Sequence, residues 1–122
     1  MALVCRGLRG ATTARDNTKD AIIEATRELL ERLIEANAIK ADDVAAAFFT
    51  TTQDLNAEFP AVAARQMGWE HVPLICGHEM RVPDALPLCI RVMALVNTEK
   101  RPQEMVHTYL RDAKDLRSRG VS

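Results

Sequence analysis

Aromatic side chains are scarce, with one Trp, one Tyr and three Phe in 122 residues. The apolar residues, 48% of the chain, must therefore build an aliphatic core. Neither sign of charge dominates: 16 Lys and Arg face 17 Asp and Glu. No overall field draws nucleic acid or an anionic membrane, and neither is expected as a partner. No stretch approaches the ~18 consecutive apolar residues of a membrane span. The opening Met1-Ala2-Leu3-Val4-Cys5-Arg6 reaches charge and glycine too soon for a secretory signal, so a cytoplasmic protein is expected. The three cysteines, Cys5, Cys76 and Cys89, are odd in number and far apart, which fits reduced thiols better than a disulfide framework. The length suits a single domain over residues 1–122, with a mobile tail expected over 118–122. No internal repeat or low-complexity segment is present.

What the chain does have is the run Leu88-Cys89-Ile90-Arg91-Val92-Met93-Ala94-Leu95-Val96, ended by Asn97-Thr98. It is short and rich in branched aliphatics, and it predicts a buried strand. Alternation sends Cys89, Arg91, Met93 and Leu95 to one face and Ile90, Val92, Ala94 and Val96 to the other. Neither set suits solvent. A buried Arg91 cannot lose its proton, so it needs an anion, either an internal carboxylate or an incoming ligand.

Ahead of this run, residues 3–13 open with strand-type residues and place Gly7 and Gly10 around Arg9, where another backbone or a ligand can come close. The lysine of a phosphate loop is missing, and Arg9 alone fits a surface strand arginine better than a ligand clamp. Residues 18–36 switch to helical period: Ile22, Thr26, Leu29, Leu33 and Ala36 form a stripe, with Asn17 or Thr18 as cap and Asn37 as stop. This helix is expected to cover one face of a sheet. Residues 44–52 return to strand chemistry. Residues 59–67 predict a short helix with Pro60 in its first turn, ended by Gly68. Phe59 and Arg65 can reach one rim of it, although packing for Phe59 and solvation for Arg65 is the plainer reading.

Residues 69–76 are the next strand expected, broken at Gly77. Residues 83–87 form a turn, and 106–110 are either a fifth strand, with His107 and Tyr109 on one face, or part of a helix over 102–113. Cys76, His78 and Glu79 lie close together, but no second Cys or His pair stands at a metal-site spacing, and no metal is expected. A Cys76 nucleophile has no base at a clear contact geometry.

Five segments in order, Arg6 to Thr13, Asp54 to Ala61, Val72 to Cys76 with Glu79-Met80, Cys89 to Met93, and His107 to Leu110, resemble the monofunctional chorismate mutases of the trimeric, barrel-like α/β type. The resemblance covers about Arg6 to Arg117. It implies an α+β fold, a mixed β-sheet packed against one long helix, with three subunits forming a pseudo-α/β-barrel and sites between neighbours. The implied reaction is the cofactor-free Claisen rearrangement of chorismate to prephenate, toward Phe and Tyr. It also implies that Arg9, Cys76, Glu79, Arg91 and Tyr109 line the pocket from one subunit, while Phe59, Arg65, Leu116 and Arg117 approach from the next. Arg91 would serve the breaking ether bond, Arg9 and Tyr109 a carboxylate, and Glu79 and Cys76 the ring hydroxyl. Ile75 stands where the family often has a hydroxyl residue, leaving only its backbone to contribute, and Val62 stands where a lysine is common. Two other readings remain: a trimeric small-molecule-binding or deaminase-like protein on a similar barrel, and a structural subunit in which Arg91 pairs with Glu79.

Overall fold

The computed structural model describes residues 2–116. A first strand, β1 (Val4–Thr13), leads into the long helix α1 (Lys19–Asn37). There follow β2 (Val44–Thr51), the short helix α2 (Ala61–Gln66), β3 (Leu74–His78), β4 (Cys89–Thr98) and the two-residue β5 (Thr108–Tyr109). The strands form one sheet in the order β3-β2-β4-β1-β5. It is mixed: β4 runs antiparallel to β1 and β2, while β2–β3 and β1–β5 are parallel.

The helical stripe behaves as its period demands. Thr18 caps the start by accepting from the Ala21 amide at 3.2 Å, and Ile22, Thr26, Leu29, Leu30 and Leu33 are buried. Ala36 is exposed, and Asn37 takes the last inward position. The turn passes to Ala38, which holds a left-handed φ of 52°. Asn37 acts as a tie: its amide donates to Leu33 O and Val106 O, both at 2.9 Å, and accepts from Val106 N at 2.8 Å.

Gly10 lets α1 settle on the sheet, because a Cβ there would stand 2.9 Å from a Leu33 methyl and 3.1 Å from the Thr108 carbonyl. Leu8, Val92, Ala94, Val96 and Phe49 meet Leu29, Leu30 and Leu33 in the main core. Of the two faces of β4, the Ile90 face is buried. Arg91, Met93 and Leu95 on the other are only half-buried, because among the described residues no α-helix covers that side and the segment carrying Ala113 and Leu116 reaches only its Cys89 end.

Two strand expectations shift. Trp69 and Val72 are buried but lie outside β3: Gly68, at φ +98°, ends the turn after α2, and the Trp69 amide closes back on Ala64 O at 3.1 Å. Gly77 does not break the strand, which continues to His78 in register with β2. The fifth strand exists but is short, since the chain turns at Arg111 (φ 53°) into a 3-10 turn, Arg111–Asp115. Arg111 donates to Thr13 O at 3.0 Å and pairs with Glu28 at 3.2 Å. Part of the charged face of α1 is thereby a clamp for the C-terminal segment.

Candidate active site

Strand register decides which side chains meet. One row across the open face of the sheet runs Gly77, Thr50, Arg91, Ala11, Tyr109, each residue paired with the next on the neighbouring strand. The row two residues along runs Ile75, Phe48, Met93, Arg9. Paired residues share a face, so Arg91, Tyr109 and Arg9 stand on one surface although they come from three strands. Ala11, between Arg91 and Tyr109 in this row, is fully buried and packs with Cys89, Ala113 and Leu116.

Glu79 follows the end of β3 and is drawn onto this face, its amide donating to Thr51 O at 2.8 Å. Its carboxylate receives Arg91 in a two-pronged pair, Nε to Oε2 at 2.7 Å and Nη2 to Oε1 at 2.6 Å. The Thr50 hydroxyl also donates to Oε2. The side chains of Arg91 and Glu79 keep 33% and 21% of their surface exposed, so the pair is sheltered without being sealed. The Arg91 bond is the main force holding the Glu79 carboxyl below its ordinary range, against burial, which pushes the other way. Arg91 is held more firmly protonated by the same contact.

Two recesses flank the pair. One, of about 330 Å³, is lined by Arg9, Phe48, Thr50, Glu79, Arg91 and Met93. Among the described residues no carboxylate or other acceptor meets the Arg9 guanidinium; only its backbone amide is engaged, donating to His107 Nδ1 at 3.0 Å. The second, of about 280 Å³, lies against Glu79, Met80, Leu86, Cys89, Arg91 and Leu116 and is more apolar. Leu116 packs beside Ala11, Cys89 and Ala113 of its own chain. Burial pushes the Cys89 thiol up to about 11.

One residue expected beside Arg91 in the same subunit, Cys76, falls elsewhere. Cys76 pairs with Phe49 and, through it, with Val92, which places it on the helix-covered face, opposite Thr50 and Arg91. Successive strand residues alternate sides, so Ile75 and Cys76 cannot both face Arg91. Ile75 is on the open face, 64% exposed on edge strand β3. Cys76 instead joins Phe59 and His78 in a third recess of about 380 Å³, and its thiol, raised by burial, feels Arg65. Phe59 is 67% exposed there. This third recess shares no lining residue with the two beside Arg91. Leu116, expected from a neighbour, lies beside Arg91 of its own chain, because the 3-10 turn after β5 folds back over β1; Arg117 lies outside the described residues.

Cys76, His78 and Glu79 do not converge, since Cys76 faces the helices and Glu79 is turned to Arg91. Thr50 had escaped notice in the sequence. The only sign of it was its place two residues after Phe48, on the face opposite Phe49.

The family model for chorismate mutase type I matches residues 5–119. The chain belongs to the chorismate mutase type I family. A curated chorismate mutase AroH of Thermus thermophilus is 50% identical over 113 residues, 92% of this chain and 93% of the relative. The chorismate mutase AroH of Bacillus subtilis is 42% identical over 116 residues, 94% and 91% of the two chains. A solved chorismate mutase from Clostridium thermocellum superposes with a TM-score of 0.87 at 48% identity, covering 88% of this chain and 96% of that one. The type I chorismate mutase family thus accounts for the mixed sheet, the long helix and nearly the whole length. No helix among the described residues is long and apolar enough to cross a membrane.

Proposed function

We propose that this chain, a chorismate mutase of the aromatic amino acid pathway, works as a cytoplasmic, cofactor-free enzyme of one domain whose sites lie between the protomers of a trimer, converting chorismate to prephenate. The rearrangement is intramolecular: an ether C–O bond breaks, a C–C bond forms, and no proton, nucleophile or redox partner takes part. A protein can accelerate it by holding the compact conformer and by stabilising charge that grows as the C–O bond lengthens.

The observation that carries this reading is the fixed Arg91 cation between two recesses, with Arg9, whose guanidinium meets no acceptor among the described residues, on the same face. Chorismate is a dianion. Arg91 meets negative charge developing on the ether oxygen, while Arg9 and Tyr109 hold a carboxylate. Glu79 accepts the ring hydroxyl and keeps Arg91 in one orientation. Such preorganised donors act most strongly where water is excluded. Phe59, Arg65 and Cys76 close the site from the adjacent protomer, with Ile75 at its edge. Support for two half-sites comes from the Phe59–Cys76 recess, which is separate from Arg91 within one chain, and from the apolar open face of Phe48, Met93, Leu95 and Ile75. A face of that kind on a water-soluble chain calls for a partner surface.

One feature favours a second reading, in which the Arg91–Glu79 pair is satisfied internally and serves structure only. Turnover separates the two. Purified protein mixed with chorismate, without added metal or nucleotide, is expected to deplete its absorbance; no depletion leaves the structural reading. Shared sites are tested by refolding Arg91→Ala together with Arg65→Glu. With random mixing in a trimer, about a quarter of sites regain both intact halves. Activity no greater than the sum of the separate variants contradicts sites between protomers.

A further inference from the structure

We propose that Thr50 is a positioning residue for the rearrangement, its hydroxyl setting the rotation of the Glu79 carboxylate so that Oε1 is the oxygen presented to substrate. The proposal rests on the reading just given and adds a residue to it. Thr50 sits directly between the two members of the pair: on β2 it faces Arg91 of β4 on one side and Gly77 of β3 on the other. Gly77 has no side chain to fill the space, and Glu79, two residues on, reaches back across it.

The two carboxylate oxygens of Glu79 are not equivalent. Oε2 receives both the Thr50 hydroxyl and Arg91 Nε, whereas among the described residues Oε1 receives Arg91 Nη2 alone. An ionised carboxylate offers about four lone-pair positions, two on each oxygen. With Oε2 fully engaged, the remaining acceptor position is on Oε1. A substrate hydroxyl is therefore read by one defined oxygen, and the guanidinium plane stays aligned because both of its prongs are matched. Without the Thr50 donor, the carboxylate can rotate, carrying Arg91 with it. Thr50 lines the same recess, and its hydroxyl is committed to Glu79, through which it acts. The same hydroxyl favours the ionised carboxylate, in line with the lowered range of Glu79.

The test compares Thr50→Val, Thr50→Ala and Thr50→Ser. Val keeps the branched shape that suits a strand and removes the donor; Ala removes it without pressing a methyl on the carboxylate. Both are expected to lower kcat about tenfold, the scale of one charge-assisted hydrogen bond, with KM changed less than kcat. Both should also shift the acidic limb of the rate profile to higher pH, because the carboxylate loses a donor that favoured its charge. Ser should restore kcat and the limb. Parent-like kcat with an unmoved limb in Val and Ala, or a Ser variant as impaired as Val, overturns the proposal. Should Val fail to fold, Ala and Ser still decide. Carboxyl titration of Glu79 by NMR in substrate-free protein is the independent reading. A shift there without any chorismate turnover in the parent contradicts the assigned reaction rather than the Thr50–Glu79 contact.

Discussion

Replacing Asn37 by Asp changes one NH2 into an oxygen, yet three hydrogen bonds depend on that group and its carbonyl. In the parent the side chain is 1% exposed and joins the last turn of α1 to the segment leading into β5. The NH2 serves Leu33 O and Val106 O, and the carbonyl accepts from Val106 N. A carboxylate keeps only the last contact and turns two donor bonds into oxygen facing oxygen. Each lost bond is worth about 1 kcal/mol, and burying a charge adds more, offset only in part by the Lys100 ammonium that donates to the Asn37 backbone carbonyl at 2.8 Å, so roughly 3 kcal/mol of destabilisation is expected at pH 7. Asn37→Ala should cost about 2 kcal/mol, because the exposed Val106 lets water replace part of what is lost. The sign of the pH dependence is the sharper test. The introduced carboxyl has a folded pKa raised by burial, so the variant's stability is fullest below the unfolded value and declines as pH rises through the folded one. Urea unfolding at matched protein concentration should place the Asp midpoint roughly 1 M or more below the parent at pH 7, with the gap narrowing at pH 5. A variant as stable as the parent at pH 7, or a gap that widens on acidification, refutes this account of Asn37.

Three other outcomes are expected. The Thr12 hydroxyl is fully buried with no hydrogen-bond partner among the described residues. Thr12→Val should therefore raise stability by about 1 kcal/mol in thermal or urea unfolding, with no loss of turnover. Arg111 clamps the segment carrying Tyr109 and Leu116 from a left-handed backbone position. Arg111→Ala should lose the clamp and keep the left-handed φ strain the arginine already bears, whereas Arg111→Gly loses the clamp but relieves that strain and should recover about 1 kcal/mol of the loss, read as the difference between the two in urea. With its thiol at about 11, Cys89 is only about one part in a thousand thiolate at pH 8, and should react with a thiol reagent only after unfolding.

Much of the scaffold was legible because its signals are local. The period of Ile22, Leu29 and Leu33 fixes α1, and the branched run around Arg91 fixes β4. Trp69 and Val72 misled in the next strand because their strand-forming character serves burial beside α2 instead. The site was less legible, for a physical reason. Whether Cys76 or its neighbour faces Arg91 depends on register between strands far apart in the chain, which alternation within one strand does not supply. The anion demanded by a half-buried Arg91 was a sound inference from the residue, and Glu79 answers it. The place of Arg9 beside it appears only once β1 and β4 are set side by side. Thr50 and Asn37 act through hydrogen bonds to residues 29 and 69 positions away, where sequence spacing carries no signal.

The central claim is that the fixed charge on Arg91 lowers the barrier, and kcat for chorismate in Arg91→Ala and Arg91→Lys tests it most directly. Loss of one preorganised donor predicts a fall of at least 10²-fold for Ala, roughly 3 kcal/mol of barrier, with assembly unchanged. Lys keeps the charge but not the two-pronged fit to Glu79, and should recover only part of it. A folded Arg91→Ala protein that turns over chorismate at the parent rate would contradict the account.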